Sequence, residues 1–151
     1  MISVCIITKN ESENIRECLN RIEPYGFEII VVDTGSTDDT KEMALRYTDK
    51  VFDFEWCDDF SAARNFSVSK ATNDYILVID SDEFITALDT DSLYRMIEEN
   101  PECVGRIERT NSYWRGNEQV RVSERINRIF NKNRFYYKGR IHEQIVAFDR
   151  N

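Results

Sequence analysis

The sequence predicts an α/β fold: a mostly parallel sheet flanked by helices, with added antiparallel strands in the C-terminal half. Three observations carry that expectation. Short apolar runs at residues 2–8, 27–32, 51–54 and 75–79 alternate with segments of helical period, the pattern of strands joined through helices. Three of those runs end in polar clusters, at residues 8–11, 33–37 and 80–83. In a parallel sheet all such ends lie along one edge, and that is where ligands sit. The second half differs, with strand-like runs at 103–109, 120–130 and 135–145 after a single helix.

The first run, Ile2-Ser3-Val4-Cys5-Ile6-Ile7-Thr8, stops at Lys9-Asn10-Glu11. Asn10 with Glu13 three residues later forms a capping box. Ile15, Cys18, Leu19 and Ile22 then recur at spacings of three and four, marking one buried helix face. Pro24-Tyr25-Gly26 ends that helix. The second run ends in Asp33, and Thr34-Gly35-Ser36-Thr37 makes the turn. Ser36 or Thr37 is expected to cap the next helix, with Asp38 and Asp39 in its first turn and Met43, Ala44 and Tyr47 on its buried face.

Residues 51–54 form a third, weaker strand. Asp58-Asp59-Phe60 opens a helix whose apolar face is read as Ala62, Ala63 and Phe66, leaving Arg64 off that face. Thr72-Asn73-Asp74 turns into the fourth strand. Leu93, Met96 and Ile97 mark a further helix ending near Asn100-Pro101. Val120, Val122, Ile126 and Phe130 keep the even spacing of one strand face, and 111–117 and 131–134 read as loops.

With 151 residues the chain is expected to be one domain. The net charge of −8 argues against a general nucleic-acid binder while leaving room for a local basic pocket. Four cysteines without a Cys-x-x-Cys pair, and one histidine, do not make a zinc site; Cys5 and Cys18 are expected as reduced core residues. No basic leader precedes the first strand, and no apolar run approaches 18 residues. A cytoplasmic protein is expected, with no transmembrane segment and room only for peripheral membrane contact.

The stretch Tyr75-Ile76-Leu77-Val78-Ile79-Asp80-Ser81-Asp82-Glu83 carries the most chemistry. A buried strand runs into three acids within four positions. Such crowding is costly unless a cation or hydrogen-bond donors neutralise it. Oxygen-only ligands suit Mg²⁺ or Mn²⁺.

The blocks Ile6-Ile7-Thr8-Lys9-Asn10-Glu11, Val31-Val32-Asp33-Thr34-Gly35-Ser36-Thr37-Asp38, Phe60-Ser61-Ala62-Ala63-Arg64-Asn65, Ile79-Asp80-Ser81-Asp82-Glu83 and Gly139-Arg140-Ile141-His142-Glu143 together resemble the family 2 glycosyltransferases of the GT-A fold. The likeness is to small bacterial enzymes that include lipopolysaccharide-core and peptide-modifying glycosyltransferases, and it covers nearly the whole chain. It implies an inverting hexosyltransferase with a nucleotide-diphosphate sugar donor, a UDP-sugar first, and Mn²⁺ or Mg²⁺. The acceptor would be a glycan, a lipid-linked sugar or a peptide. Residues 1–83 would form the nucleotide-binding half and 84–151 the acceptor and metal half, compact or truncated.

In that likeness Thr8, Asn10 and Glu11 meet the nucleoside, although Asn10 also reads as a simple N-cap. Asp33 accepts from a base N–H or ribose hydroxyl, or only forms its turn. Arg64 holds phosphate or base, or pairs at the surface with Asp58 or Asp59. Asp80 lies near the ribose and Asp82 binds the metal. His142 is a third metal ligand or a structural histidine; as neighbours in a strand, it and Glu143 would face opposite ways. The general base is Glu143 or Glu124. Arg125 and Arg128 add to a phosphate pocket or decorate a strand, and Tyr113-Trp114 stack on a sugar or, preferably, pack in the core.

The Gln-x-x-Arg-Trp pattern of processive synthases is absent, as are a glycine-rich triphosphate loop after the first strand and any Gly-x-Gly-x-x-Gly. The competing expectation is a non-catalytic nucleotide-sugar-binding module lacking its acceptor domain.

Overall fold

A computed structural model describes residues 1–149. Its elements follow the order β1 (Ile2–Thr8), α1 (Ser12–Ile22), β2 (Glu28–Asp33), α2 (Thr40–Ala44), β3 (Val51–Asp53), α3 (Phe60–Ser69), β4 (Tyr75–Val78), α4 (Thr90–Glu99), β5 (Gly105–Arg115), β6 (Glu118–Asn131), β7 (Phe135–Lys138) and β8 (Gln144–Ala147). One six-stranded sheet has the order β3-β2-β1-β4-β6-β5, and β7 and β8 form a separate hairpin. The first four strands are parallel, while β6 is antiparallel to β4 and β5 to β6. The sheet therefore takes strands from both halves of the chain.

Alternation along the strands builds two cores. Val4, Ile6, Ile29, Val31 and Leu77 pack with Ile15, Leu19 and Ile22 of α1 and with Leu93 and Ile97 of α4. Cys5, Ile30, Val32, Ile76, Val78 and Phe130 pack on the other face with Val68 of α3 and Tyr137 of β7. Both faces are covered, which is why these strands read as unbroken apolar runs. The helix face foreseen for α1 is fully buried. A short 3₁₀ turn, Glu23–Tyr25, follows it and ends on Gly26 at φ +66°.

The N-terminal edge of the sheet is fastened by Glu28. Its carboxylate accepts from Ser3, from Lys50, from the Thr72 amide and hydroxyl, and from Asn73, so one side chain ties the start of β2 to the starts of three other strands. Burial alone would raise this carboxyl; the bonds from Lys50, Ser3 and Thr72 outweigh it and hold it at about 2.

Several expectations are corrected. Asn10 makes no capping box: α1 starts two residues later, with Glu11 in the cap position and no side-chain cap bond. Neither Ser36 nor Thr37 caps α2, which begins at Thr40; the Asp38 carboxylate accepts from the Thr40 amide instead. The inner face of α3 is Ser61, Ala63, Arg64, Ser67 and Val68, so Arg64 lies on the buried side of the helix. Residues 111–117 are not a loop: β5 and β6 pair without interruption from Arg106↔Asn127 to Arg115↔Glu118. Tyr113 and Trp114 stand on that ribbon 45% and 69% exposed, outside any core. The run 135–145 breaks into β7, a bend and β8, with His142 in the bend at φ +56°. The rule of opposite faces in a strand therefore does not apply to His142 and Glu143.

Candidate active site at the carboxyl edge of the parallel sheet

Two pairs of loops interlock at this edge. The loop after β1 clasps the loop after β2. Thr34 donates its amide to the Thr8 carbonyl, Asn10 N–H donates to Ser36 Oγ at 2.8 Å, and Thr37 N–H donates to Asn10 Oδ1 at 2.7 Å. Glu11 N–H donates to Thr40 Oγ1 at 2.8 Å. Bonds from the Thr40 hydroxyl and amide hold the Asp38 carboxyl low, with lesser help from Ser12 at the start of α1. Asp38 thus joins both helix starts.

The second clasp joins α3 to the β7–β8 hairpin. Asp59 caps α3 by accepting from the Ala62 amide. Phe60 N–H donates to the Arg140 carbonyl, and the Ser61 hydroxyl donates to the Gly139 carbonyl. The Asn65 side chain pairs with Tyr137 like a strand neighbour, donating to its carbonyl at 2.8 Å and accepting from its amide at 2.9 Å. This lays Glu143 against Arg64.

Arg64 is the centre of the site. It is 8% exposed, and its guanidinium holds Glu143 Oε1 at 2.7 Å through Nε and Asp80 Oδ1 at 2.9 Å through Nη2. The Tyr137 ring lies 5.5 Å from its central carbon. Burial would lower the Arg64 pKa, but Asp80, Tyr137 and Glu143 raise it above its ordinary value. Arg128 supplies a second buried cation, bonded to Asp80 Oδ2 at 3.2 Å and Glu83 Oε1 at 2.6 Å. Between Gly105↔Ile129 and Arg106↔Asn127 the register skips Arg128, so this arginine is the extra residue of a β-bulge. A bulge re-aims a side chain, here toward the acids at the end of β4.

Those acids are neutralised by protein cations. Burial would raise the Asp80 carboxyl; Arg64 and then Arg128 overcome it and hold the group below its ordinary value. Glu83 folds back to accept from the Asp80 amide at 2.9 Å and also takes Arg109 at 3.3 Å. Cys18 lies beneath, its thiol donating to the Asp80 carbonyl at 3.8 Å; burial, with Glu83, Asp82 and Asp80, pushes it up to about 12. Asp82 differs. It is exposed and has no hydrogen-bond or ion-pair partner among the described residues.

A cavity of about 740 Å³ opens here, lined by Arg64, Asp80, Arg128, His142 and Glu143 among others, within the usual size of a ligand pocket. The structure thus brings together Arg64, Asp80, Glu143 and His142. It places Glu124 elsewhere, in a cross-strand ion pair with Arg109 on the ribbon. Arg64 does not pair with Asp58 or Asp59: the first takes the Trp56 indole and the second caps α3.

Four buried side-chain atoms lack a partner among the described residues: Thr8 Oγ1, Asp33 Oδ2, Arg64 Nη1 and Arg128 Nε. All four belong to this one edge. Thr8 and Asp33 are register partners at the ends of β1 and β2, and Asp33 uses its other oxygen on the Gly35 and Ser36 amides. Each unsatisfied buried group costs about 1–3 kcal/mol, so their concentration here makes this edge the candidate ligand site. A second cavity, about 520 Å³, lies at the opposite edge beside Glu28 and holds none of them.

The sequence model of Glycosyl transferase family 2 matches residues 3–148. The chain belongs to that family. Among its relatives are a TPR repeat-containing protein of Synechococcus elongatus, 44% identical over 82 residues, and the SPbeta prophage-derived glycosyltransferase SunS of Bacillus subtilis, 42% identical over 83 residues. Each match covers 54% of this chain and 20% of the relative. The solved structure of Staphylococcus aureus TarS 1–349 with UDP-GlcNAc has a TM-score of 0.58 and 28% identity, over 66% of this chain and 32% of that one. Mycobacterium tuberculosis glucosyl-3-phosphoglycerate synthase with Mn²⁺ and UDP-glucose has a TM-score of 0.50 and 28% identity, over 56% and 34%. The chain thus spans about a fifth of the length of the two relatives and a third of the solved ones. Its fold is that of the GT-A glycosyltransferases.

Within this family 2 domain, two residues escaped the sequence reading: Arg109 and Tyr137, which bracket the acid cluster from the ribbon and the hairpin. No periodicity or motif marks either one. Among the described residues no helix is long and apolar enough to cross a membrane. Among the described residues no group of three or more His, Cys, Asp or Glu side chains is arranged to hold a metal ion.

Proposed function

We propose that this domain binds a nucleotide-diphosphate sugar, a UDP-sugar first, and transfers the hexose with inversion to an acceptor in cell-envelope glycan or peptide glycosylation. The observation that carries the reading is the set of four unpartnered buried atoms along one sheet edge. An acceptor at Asp33 and a hydroxyl at Thr8 suit a nucleoside. Two guanidinium donors, on Arg64 and Arg128, suit the oxygens of a diphosphate. Asn10 and Glu11 would position the nucleoside through the clasp they form rather than by their side chains alone.

Asp82 fits a hard divalent cation: it is an uncommitted carboxylate beside Asp80, whose own oxygens are taken by arginine. Mg²⁺ is commonly held by one or two carboxylates plus substrate phosphates, which needs no ready-made protein cage. Asp82 would hold Mg²⁺ or Mn²⁺, with His142 from the cavity wall as a further ligand. When bound, the ion offsets charge on the departing nucleoside diphosphate. Arg64 and Arg128 would orient that diphosphate. Glu143, on the cavity wall, would take the proton of the attacking acceptor hydroxyl. Glu124, which does not line the cavity, is the weaker choice.

The test is calorimetric titration with UDP, with and without Mn²⁺, on the wild type and on Asp82→Ala, followed by assay of UDP release from UDP-sugars. Metal-dependent binding that Asp82→Ala removes, together with UDP release, is expected. Absence of UDP binding under every condition refutes the reading. Binding without hydrolysis or transfer supports instead a non-catalytic nucleotide-sugar-binding module.

A further inference from the structure

The β5–β6 ribbon leaves the sheet at the same edge as the candidate site. Strand β4 ends at Val78, but β6, antiparallel to it, runs from Leu77↔Ile129 back to Glu118 beyond that end. The paired stretch from Asn127 to Gln119 reaches about 27 Å past the sheet at the usual rise of a strand. Its two faces follow from the register, because directly opposed residues share a face.

One face carries the pairs Ile107↔Ile126, Arg109↔Glu124, Asn111↔Val122, Tyr113↔Val120 and Arg115↔Glu118. Its two arginines meet two glutamates, and the Arg109–Glu124 pair is closed. The other face carries Arg106↔Asn127, Glu108↔Arg125, Thr110↔Ser123, Ser112↔Arg121 and Trp114↔Gln119. Here three arginines meet one glutamate. Arg106, Arg121 and Arg125 form no ion pair among the described residues; Arg106 only donates to Asn127 Oδ1 at 3.2 Å. Between them stand hydroxyls, Thr110 and Ser123, already within 2.8 Å of each other. At the far end Trp114 is 69% exposed. The near end of the ribbon meets the site with both faces, Arg106, Arg125 and Asn127 from this one and Arg109 and Ile126 from the other, so the free arginines rather than proximity single this face out.

A chain of net charge −8 thus sets uncompensated guanidinium groups, hydroxyls and amides in one lane, and an indole at its tip. Guanidinium groups recognise phosphate and carboxylate with planar forks. Hydroxyls and amides match sugar hydroxyls, and an aromatic face suits the C–H side of a pyranose. An acidic peptide would need pockets for its side chains, and the apolar residues that would make them lie on the opposite face. We propose that the Arg106–Arg125–Arg121–Trp114 face of the ribbon is the acceptor platform and that the acceptor is an anionic, phosphate- or carboxylate-bearing glycan. The inference rests on the glycosyltransferase reading and names the substrate class for that same site.

The probes are fluorescein-labelled maltohexaose and its phosphorylated derivative, followed by anisotropy. UDP binding with Mn²⁺ is measured in parallel on every variant. The variants are Arg121→Ala/Arg125→Ala and Trp114→Ala on the proposed face, and Arg115→Ala on the other. The phosphorylated probe should bind at least tenfold more tightly than the neutral one. The double variant should weaken it tenfold or more and flatten its salt dependence. Trp114→Ala should weaken it about fivefold, and Arg115→Ala less than twofold. UDP binding should not change in Trp114→Ala or Arg115→Ala, which lie outside the cavity lining.

Equal binding of the two sugars overturns the anionic acceptor. Equal loss on Arg115→Ala overturns the assignment of the face. Binding of labelled poly-glutamate as tight as the phosphorylated sugar overturns a glycan in favour of any polyanion. Intact UDP binding with no binding of the phosphorylated probe refutes the platform and leaves the donor reading standing. The reverse pattern removes the donor reading and leaves an anionic-glycan-binding surface.

Discussion

Arg64→Met tests the centre of the site. The substitution keeps an unbranched side chain of similar reach and removes the charge. Wild-type Arg64 makes two charge-assisted bonds, to Glu143 at 2.7 Å and Asp80 at 2.9 Å, and leaves Nη1 without a partner. Two such bonds are worth roughly 3–6 kcal/mol together, and removing the orphaned donor returns about 1–3 kcal/mol. The midpoints of those ranges leave a net loss of about 2.5 kcal/mol at pH 7. Asp80 keeps Arg128 and is one-third exposed, so most of the loss falls on Glu143, whose side chain is 15% exposed. For a chain of this size the melting temperature should fall by roughly 5–10 °C.

Two further readouts separate this account from simple misfolding. Arg64→Met/Glu143→Gln removes the stranded carboxylate and should recover at least half of the lost stability. The deficit should also shrink in acid. The Asp80 carboxyl is held below its ordinary value by Arg64 and Arg128 after burial is overcome, so its contribution is present above the unfolded pKa, roughly 4, and is lost as the pH falls through the folded value. Urea unfolding followed by circular dichroism at pH 7 and near pH 3 measures both. A single variant as stable as the wild type at pH 7, or a double variant no better than the single, would refute the assignment of Arg64 as the shared counter-ion.

Glu28→Gln should cost about 1–3 kcal/mol at pH 7 after allowance for solvent screening. Because the folded carboxyl sits at about 2, the difference from the wild type should fade between about pH 4.5 and pH 2, as acid-unfolding curves will show. Asp82→Ala should leave stability within about 0.5 kcal/mol, since the side chain is exposed and unpartnered, while abolishing Mn²⁺-dependent UDP binding. Gly105→Val should destabilise by roughly 1–3 kcal/mol in urea. A Cβ there would come within 2.9 Å of Met96 Cε and 3.1 Å of Ile129 Cβ, and Ile129 is fixed in the core. Asn65→Leu should cost about 1–3 kcal/mol through the two unpaired Tyr137 backbone groups, and should loosen hydrogen-exchange protection in β7 before the parallel strands.

The parallel half of the fold was legible because its strands are apolar on both faces and its helices keep a clean period, as Ile15, Cys18, Leu19 and Ile22 do. The C-terminal half was less so. Residues 111–117 carry no apolar alternation because the ribbon buries neither face at its tip, so hydrophobic pattern had nothing to report. Its pairing is held by backbone bonds, which leave no mark in composition. His142 was misread as a strand residue because Ile141 and Ile145 flank it at even spacing, while its left-handed backbone follows from the bend between β7 and β8. At the site, Asp80 stood out as an acid at the end of an apolar strand, whereas Arg64 and Glu143 were marked only by the motif blocks. Arg128 could not be told from a surface arginine, because its inward aim depends on a bulge that exists only in the register with β5.

The motif blocks prove to be a mutual scaffold as much as a set of contacts. Asn10 spends its amide oxygen on the loop after β2, while Ser61 spends its hydroxyl and Asn65 its whole amide on the hairpin that bears Glu143. The crowding of acids after β4 raised the question of what neutralises them. Arg64, Arg128 and Arg109 do so for Asp80 and Glu83, which lets the strand end fold without a bound metal and leaves one carboxylate, Asp82, uncommitted. Arg64 and Arg128 each keep one donor, Nη1 and Nε, without an acceptor among the described residues. A purely structural ion-pair network gains nothing from orphaned donors, each costing about 1–3 kcal/mol. Their persistence beside an unpartnered Asp33 oxygen and Thr8 hydroxyl is the physical ground for reading this edge as a binding site rather than a well-packed end of the sheet.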